Sequence, residues 1–354
     1  MQPEWKAFLA DAGAEFDPDN GQISHFGVPS QEVSMVRTGN VFADLSHLGL
    51  ISVSGEDASD FLHAQLTCDV KSLATDQSSP GGLCNPKGRL LAIMRVFVLE
   101  PQTLALSLPR NLTESVITHL QKYVLRSKVD LHDISNQFVR LGVSGPEASR
   151  LLGEALGDSV VESDNGVGTS GGHLVERLPG PQPRLEVLLD PGSASRVWDR
   201  LNVHAAPVGS DAWQLLDHAA GMPMIHPATA GLFVAQSVNL ELIGGISFRK
   251  GCYPGQEVIA RLQHRGQPNR RMIVARCQSR QRPQPADPVF SAAGAGQAAG
   301  YVVDARPDGE NTWSVLLSAR LDALSAPRLH LQDAEGPEVI PGKLPYAIPE
   351  FQTD

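Results

Sequence analysis

The alternation of apolar and polar positions produces the same short pattern twice along the chain. VSGEDASDFL at 53–62 recurs as VSGPEASRLL at 143–152, with six of ten positions identical. Each copy follows a run typical of a strand, and the apolar residues after its glycine recur at helical spacing. Both copies contain the spacing of a capping box: Ser54 with Asp57, and Ser144 with Glu147. The pattern predicts two related α+β units, and a chance match of two capped helices is the alternative.

Further helices and a β-rich tail are predicted by the same periodicities. Apolar residues recur every three to four positions at 112–123 and at 211–220, where Gly221 signals the end of the helix. After a linker-like stretch at 278–288, two β-type runs, YVVDA and WSVLLSA, are joined across the turn-rich segment 307–310. The sequence therefore predicts a small C-terminal β-barrel or β-sandwich.

The composition fits a folded protein of two or three domains. The chain has 354 residues, of which 42% are hydrophobic and 19% charged, so it has enough apolar residues for packed cores. Lys and Arg total 29 against 39 Asp and Glu, which gives a formal net charge of −10. Because a broad nucleic-acid-binding face carries the opposite sign, we do not expect this protein to bind nucleic acid directly.

Cysteine use and the N-terminal sequence favour a reducing compartment. The N-terminal residues include acidic side chains and no uninterrupted apolar core, which argues against a signal peptide. The longest apolar stretch, 90–99, is interrupted by Arg95 and is far shorter than the ~20 residues that span a bilayer. No C-x-x-C spacing or disulfide framework is formed by the four cysteines, Cys68, Cys84, Cys252 and Cys277. We therefore expect a cytoplasmic protein without a membrane partner.

A G-x-G-x-x-G pattern at 166–171 matches a cofactor-binding motif in its letters alone. The dinucleotide-binding fingerprint requires a strand before it and a helix of some length after it. Pro179 and Gly180 close the following segment too soon for such a helix, so we interpret the pattern as a flexible loop. The eleven histidines show no ligand spacing and indicate no metal site.

The segment GGISFRKGCYPGQEVIARLQHRG at 244–266 carries the clearest candidate chemistry. Pro254 suits the first turn of a helix, an apolar stripe follows it, and Gly266 suits the helix end. Cys252 is then expected just before the helix N-terminus and beside Lys250, an environment that stabilises a thiolate. The alternative is a buried structural cysteine, the commoner role of a free thiol.

The pattern K-G-C-Y-x-G-Q-E at 250–257 resembles the signature of the YgfZ-type folate-binding proteins, which are tRNA-modifying relatives of the glycine-cleavage T-protein, an aminomethyltransferase. Other stretches resemble this family in order and spacing: 42–70, 85–89, 122–131, 211–225 and 236–240. The resemblance implies an α+β fold in which two α+β (ferredoxin-like) units and a C-terminal β-barrel form a three-domain ring. It also implies that tetrahydrofolate or a one-carbon derivative occupies the central hole.

The resemblance further implies domain boundaries and site residues. We predict a folate-binding α+β domain from 1–135 with 206–265, a second α+β domain at 136–205 and the barrel at 266–345. Cys252 and Lys250 match the family's reactive pair, in which the lysine would promote ionisation of the thiol and engage the ligand. Folate contacts are implied for Arg89, Trp213, Gln236, Asn239 and Tyr253. An indole suits stacking on a pterin, and a core position is the alternative for Trp213.

Two departures from the T-protein pattern affect the functional expectation. Ala219 stands where the superfamily has a glutamate that binds the pterin, and Asp217 replaces an arginine. Residues 89–93 provide no carboxylate where aminomethyltransferases carry a catalytic aspartate. These losses argue against the T-protein reaction and put folate affinity in question.

Three functional hypotheses follow from the resemblance and its departures. The first is a folate-binding accessory protein that supports iron–sulfur enzymes and tRNA modification by thiolation, with those enzymes as its protein partners. The second is a folate-dependent aminomethyltransferase or demethylase. The third is an interaction scaffold that has lost its folate.

Overall fold

The computed structural model describes residues 1–264, 268–291, 296–325 and 328–349. The predicted helices at 112–123 and 211–220 are confirmed to within one residue. No helix in these ranges is long and apolar enough to cross a membrane. The helices are α1 (Pro3–Asp11), α2 (Pro29–Thr38), α3 (Ala58–Gln65), α4 (Thr113–Val124), α5 (Ala148–Leu156), α6 (Pro191–Leu201), α7 (Ser210–Ala219), α8 (Gln256–His264) and α9 (Leu321–Leu324).

The strands form two open sheets on which helices pack, a closed barrel, and a short hairpin of β1 with β2. In chain order they are β1 (Glu15–Phe16), β2 (Ile23–His25), β3 (Val41–Asp44), β4 (Leu48–Ser54), β5 (Ser78–Cys84), β6 (Leu90–Glu100), β7 (Thr103–Pro109), β8 (Asp130–Asp133), β9 (Val139–Ser144), β10 (Val167–Ser170), β11 (His173–Leu178), β12 (Arg184–Leu189), β13 (Ala206–Pro207), β14 (Arg270–Gln278), β15 (Pro288–Ser291), β16 (Ala298–Gly309), β17 (Thr312–Arg320), β18 (Leu329–Leu331) and β19 (Glu338–Pro341).

The first unit is the five-stranded sheet β5-β6-β7-β4-β8 with helices α3 and α4. Its strands all come from one continuous stretch of chain, 48–133. Apolar residues of α3, α4 and the sheet form its core, and residues from 225–259 pack against the same core. The loop that carries the cysteine motif therefore lies on the first unit.

The second unit is the six-stranded sheet β10-β11-β12-β9-β3-β13. Alternate residues of its strands face opposite sides, so α1, α5 and α6 pack on one face and α2 and α7 on the other. The predicted boundaries grouped 1–135 with 206–265. The strand pairing differs from this grouping. β3 (41–44) pairs with β9 and β13 (206–207) pairs with β3, so both strands belong to the second sheet and not to the first unit.

The internal repeat corresponds to β4–α3 in the first unit and β9–α5 in the second. In both copies the glycine after the strand has a positive φ, +126° at Gly55 and +132° at Gly145, which reverses the chain into the helix. The capping-box prediction is wrong. The helices begin three residues after these glycines without a side-chain cap, and the serines are the last residues of their strands.

The barrel closes in the order β14-β17-β16-β15-β18-β19. In its long hairpin, β16 continues to Gly309 and the chain reverses between Gly309 and Thr312, two residues later than the turn predicted at 307–310. Pro307 stays within the strand because a β-bulge accommodates it. The prediction of an α+β fold with a C-terminal β-barrel is confirmed. The G-x-G-x-x-G pattern lies in β10 and the tight turn to β11, so a hairpin replaces the predicted loop.

Buried ion pairs join the two sheets. Arg95 of β6 contacts Glu176 of β11, and Arg140 of β9 contacts Glu186 of β12. Arg140 also donates a hydrogen bond to Ser107 of β7 at 2.7 Å, so the second pair is tied to the first unit. Each charge faces an opposite charge where water is excluded, which compensates part of the cost of burying it. These contacts fix the two sheets relative to each other.

Candidate functional site

The cysteine motif forms a loop that ends at the start of α8. Cys252 is exposed, while Cys68, Cys84 and Cys277 are buried. The predicted helix start at Pro254 is two residues early, because α8 begins at Gln256. Cys252 therefore precedes the helix by four positions, and its exposure does not agree with the alternative of a buried structural cysteine.

Two glycines allow the motif to pack against the turn at 85–89. Gly255 has φ +84°, and a Cβ at this position would lie 2.6 Å from the Cα of Gly88. Gly88 has φ +70°, and a Cβ there would lie 3.0 Å from the side chain of Val258. Side chains other than hydrogen would force the two segments apart. The Asn85 carboxamide holds the turn by accepting hydrogen bonds from the backbone N–H groups of Lys87 and Arg89.

Lys250 anchors the loop to the end of α3. Its ammonium group donates hydrogen bonds to the backbone carbonyls of His63, Leu66 (2.5 Å) and Cys68 (3.0 Å). It also lies 4.9 Å from the ring centre of Tyr253. Burial lowers the pKa of Lys250 to about 8. These contacts direct the ammonium group into the α3 end, so its role here is to position the loop.

A cavity of about 360 Å³ lies where the first unit, the second unit and the barrel meet. We call it the junction cavity. It is lined from the first unit by Pro109, from the second by α7, and from the barrel by β16. Its principal polar side chains are His47, Asp211, Gln214, Arg282, Asp304 and Arg306.

Asp304 is a fully buried carboxylate at the wall of the junction cavity. His218 Nε2 lies 2.9 Å from Oδ2, His226 Nε2 lies 3.0 Å from Oδ1, and Arg306 donates to Oδ2 at 2.7 Å. Burial opposes ionisation of this group. The guanidinium of Arg306 and the two histidines outweigh that cost and hold the pKa of Asp304 well below its ordinary value.

Asp211 is the second carboxylate of the junction cavity. Its Oδ1 accepts hydrogen bonds from Arg306 at 2.7 Å and Arg282 at 3.0 Å, while Oδ2 accepts one from Arg282 at 2.9 Å. Burial raises its pKa, but the two arginines outweigh that effect and lower it. Both carboxylates are therefore ionised near neutral pH and act as hydrogen-bond acceptors.

His47 adds an uncharged polar group to the junction cavity. Its side chain is buried, and Nδ1 has no hydrogen-bond partner in the described part of the chain. Burial, together with the nearby Arg306, lowers the pKa of His47 to about 3. The imidazole is thus neutral at physiological pH and offers one N–H and one lone pair. An unpartnered buried nitrogen beside a cavity favours occupation by a polar ligand.

The residues predicted to contact folate are distributed over different environments. Trp213 is buried at 1% exposure in the core between α2, α7 and the second sheet, where its indole fills the space left by Gly142. This placement agrees with the core position noted as the alternative. Asn239 is also fully buried, and its carboxamide pairs with the backbone of Met272 in β14. Tyr253 lies in the core of the first unit.

Arg89 and Gln236 are brought together in a second cavity of about 530 Å³. We call it the α8 cavity, because Val258 and Leu262 of that helix line it beside the barrel strands. The Gln236 carboxamide donates to the Ile259 carbonyl at 2.7 Å, and its Oε1 has no partner among the described residues. Cys252 lines neither this cavity nor the junction cavity.

The positions of the T-protein departures lie outside the junction cavity. Ala219 is exposed and borders a separate groove of about 480 Å³ together with Arg276 of the barrel. Asp217 forms an ion pair with the buried Arg184 at 2.7 Å. Residues 90–93 lie in β6, where Leu90, Ala92 and Ile93 are buried. The junction cavity takes its carboxylates from α7, from β16 and from the turn between β1 and β2, which contributes Asp17.

Sequence reasoning missed the polar residues of the junction cavity. Asp211 and Gln214 share one face of α7 at i, i+3 spacing, and this polar pair next to an apolar stripe was the available signal. Asp304 and Arg306 alternate with buried residues in a strand, which is equally typical of a solvated strand face. Only the docking of α7 on the barrel brings these four residues together.

Comparisons with known proteins agree with the fold and with the family resemblance. A model of the GCVT N-terminal domain matches residues 11–168. The chain is 33% identical over 239 residues to the tRNA-modifying protein YgfZ of Colwellia psychrerythraea, and 31% identical over 238 residues to that of Escherichia coli; each alignment covers 67% of this chain and 72% of the relative. The structure is similar to the glycine cleavage system aminomethyltransferase T of Bartonella henselae, with a TM-score of 0.74 and 18% identity over 95% of this chain and 94% of the other.

Proposed function

Because the chain belongs to the YgfZ family of tRNA-modifying proteins, we propose that it is a cytoplasmic accessory protein that binds a reduced folate and supports tRNA thiolation and iron–sulfur enzymes. The observation that carries the proposal is the polar junction cavity at the meeting point of three units. A reduced folate supplies a carrier for one-carbon units. The exposed Cys252 supplies a thiol on the same molecule.

The side chains of the junction cavity fit the chemistry of a folate. A pterin presents N–H groups and ring nitrogens, and Asp211 Oδ2 accepts one hydrogen bond from protein, which leaves a lone pair for an N–H donor. His47 offers an unpartnered nitrogen. The guanidinium of Arg282 is 35% exposed and suits a carboxylate of the folate glutamate. Asp211, His47 and Arg282 would thus hold the ligand.

The electrostatics of the cavity favour an accessory role over aminomethyl transfer. Among the described residues, three carboxylates line this cavity, Asp17, Asp211 and Asp304, and arginines hold the pKa of Asp211 and of Asp304 below its ordinary value. A carboxylate that stays ionised is a poor proton donor. The proposal therefore assigns these groups to binding. Turnover of a methylamine-type donor with tetrahydrofolate would contradict this assignment.

Fluorescence titration with tetrahydrofolate tests the ligand and its position. Trp313 is the reporter, because the Arg282 guanidinium lies 5.9 Å from its ring centre. We expect saturable quenching that is lost in Trp313→Phe. Removing the Asp211 charge in Asp211→Asn should weaken binding by about ten- to a hundredfold, since a charge-assisted hydrogen bond contributes roughly 1.5–3 kcal/mol.

Arg89→Gln is the matched control for the titration, because Arg89 lines the α8 cavity. Its affinity for tetrahydrofolate should equal that of the wild type. Weakened binding in Arg89→Gln with unchanged binding in Asp211→Asn would place folate in the α8 cavity and contradict the proposal. Absence of any quenching would favour the scaffold hypothesis.

The role of Cys252 is tested in a strain that lacks its own family member. We expect the wild-type protein to restore the thiolated nucleosides of tRNA, measured by mass spectrometry of digested tRNA, and Cys252→Ser to restore only a small fraction. Cys277→Ala is the control, because Cys277 is buried in the barrel core. Full restoration by Cys252→Ser would show that the thiol has no such role.

A further inference from the structure

Among the described residues, the α8 cavity is lined by several hydrogen-bond donors and by no carboxylate. The donors include the guanidinium groups of Arg89 and Arg270, the carboxamide of Asn269 and the hydroxyl of Tyr301. Within the described ranges, neither the Asn269 carboxamide nor the Tyr301 hydroxyl makes a hydrogen bond. The chain as a whole has 39 acidic residues against 29 basic ones, so two arginines without an acidic neighbour in one cavity are unusual here. This set of side chains favours an anion.

Backbone carbonyls, and not acidic side chains, hold the two arginines. Arg89 donates a hydrogen bond to the Leu232 carbonyl at 2.5 Å, and Arg270 donates one to the Ala299 carbonyl at 2.9 Å. Each bond uses a single N–H group of a guanidinium that carries several. Neither arginine forms an ion pair in the part of the chain that the structure describes. Their remaining N–H groups are therefore available to a ligand.

Arg270 is partly buried and lacks a counter-ion in the α8 cavity. Burial lowers the pKa of Arg270, and the neighbouring Arg320 and Arg89 lower it further. Tyr301 and Asp322 oppose these effects. Asp322, however, is paired with Arg320 at 3.1 Å and does not line the cavity. An anion bound between Arg89 and Arg270 would relieve their mutual repulsion.

The remaining walls of the α8 cavity suit an organic body beside the charged group. Apolar side chains in these walls belong to Leu232, Val234, Val258 and Leu262. The volume of about 530 Å³ lies within the range of small-molecule sites and accommodates a body of ring size. Gln236 is fully buried in the same wall, and its Oε1 has no partner among the described residues, a vacancy that a water or a ligand group would fill.

We propose that the α8 cavity binds a small phosphate monoester whose organic body is apolar and of ring size. A phosphate monoester carries a charge of about −1.5 to −2 at pH 7, which matches two arginines better than a single carboxylate does. Guanidinium groups bind phosphate oxygens through paired hydrogen bonds. Arg89 lies in the turn between β5 and β6, and Arg270 lies in β14, so the ligand would connect the first unit with the barrel. The α8 cavity and the junction cavity share no described lining residue, and the site is therefore separate from the one proposed for folate.

Isothermal titration calorimetry with 1-naphthyl phosphate tests the proposal on the whole protein without folate. This compound carries a phosphate on an apolar body of two fused rings. We expect saturable binding at a single site per chain. Arg270→Gln and Arg89→Gln should each weaken binding by about ten- to a hundredfold, because charge-assisted hydrogen bonds to the phosphate are lost. Failure of 1-naphthyl phosphate to bind the wild-type protein would overturn the proposal.

Arg276→Gln is the matched control, because it removes the same charge from the same strand, β14, and Asp308 keeps its second ion pair with Arg37. Its affinity for 1-naphthyl phosphate should equal that of the wild type. An equal loss in Arg276→Gln, or wild-type affinity in both cavity variants, would overturn the location. If Arg270→Gln does not fold, Leu262→Glu takes its place. It adds a carboxylate to the cavity wall and should abolish binding, and wild-type affinity in this variant would contradict the proposal.

Three analogues test the chemical class of the ligand. Inorganic phosphate lacks the organic body, 1-naphthol lacks the charge, and 1-naphthoate carries a single carboxylate. Each should bind at least about tenfold more weakly than 1-naphthyl phosphate, and equal affinity of any of them would overturn the assignment to a phosphate monoester. Saturating tetrahydrofolate should leave the affinity for 1-naphthyl phosphate unchanged. Displacement of 1-naphthyl phosphate by tetrahydrofolate would show that the α8 cavity is the folate site and would overturn both proposals.

Discussion

At Lys250 a single ammonium group satisfies three backbone carbonyls at the end of α3. The C-terminal carbonyls of a helix have no partners within the helix, so a cation from elsewhere in the chain is well suited to them. The interaction joins a loop of the chain to a helix almost two hundred positions earlier. This residue therefore determines where the cysteine lies relative to the first unit.

Replacing Lys250 by methionine should destabilise the protein by about 2 kcal/mol, because buried carbonyls lose their donor. Urea denaturation at pH 7 measures the change in the free energy of unfolding. Lys87→Met is the control, since Lys87 is exposed and should change stability by less than about 0.5 kcal/mol. An unchanged free energy of unfolding in Lys250→Met would contradict the anchoring role.

The difference in the free energy of unfolding between the wild type and Lys250→Met should also depend on pH. Burial lowers the pKa of Lys250 from 10.5 to about 8, so between these values the unfolded chain binds a proton that the folded protein has lost. The stability of the wild type relative to Lys250→Met should then rise from pH 8 to pH 10.5. A difference that falls over this range would contradict the lowered pKa.

The sequence predicted that Lys250 acts on the thiol of Cys252, which stays a prediction, but it could not predict the anchoring contacts of Lys250. The motif placed Lys250 two positions from Cys252, and proximity in sequence suggested that its charge acts on the thiol. The direction of a side chain depends on the loop conformation, which is fixed by contacts with Thr67 and with the end of α3. These contacts are distant in sequence, so spacing within the motif could not reveal them.

Helix α7 is the element that joins the second unit to the barrel. One of its faces contributes Trp213 to the core of the second unit, and other positions bring Asp211 and His218 to the barrel residues Asp304 and Arg306. Charges form the barrel contact, while apolar residues form the contact with the sheet. The periodicity predicted the helix correctly, but it could not show that the polar positions are buried as well.

Replacing Arg306 by methionine should weaken the docking of α7 by about 3 kcal/mol, because it leaves Asp304 buried with less compensating charge. Because the pKa of Asp304 is lowered, its ionised carboxylate stabilises the fold fully at pH values above its ordinary pKa of 3.8. This stabilisation is lost as the pH falls from there through the lowered pKa. The variant should therefore unfold at a higher pH during acid titration followed by circular dichroism. Arg150→Met removes two exposed ion pairs, with Glu147 and Glu154, and serves as the control. Equal acid midpoints in both variants would contradict the docking role.

For the molecule as a whole, the class of fold and the barrel could be predicted because they depend on local periodicity and on a family signature. The strand pairings could not. β3 reads as an apolar run that suits either sheet, and its partner β9 lies about 100 residues further along the chain. The residues that form the junction cavity could not be predicted for the same reason, since the cavity exists only where three units meet.

The pairing of β3 with β9 has a consequence for the order in which the protein folds during synthesis. Residues 48–133 supply every strand of the first sheet, so its strands can pair as soon as this stretch leaves the ribosome, while its core is completed only when residues 225–259 arrive. The N-terminal 47 residues emerge earlier, but their strand β3 has no partner until β9 follows. The chain thus begins with a segment that folds late, and closing this long loop sets a slow step in its maturation.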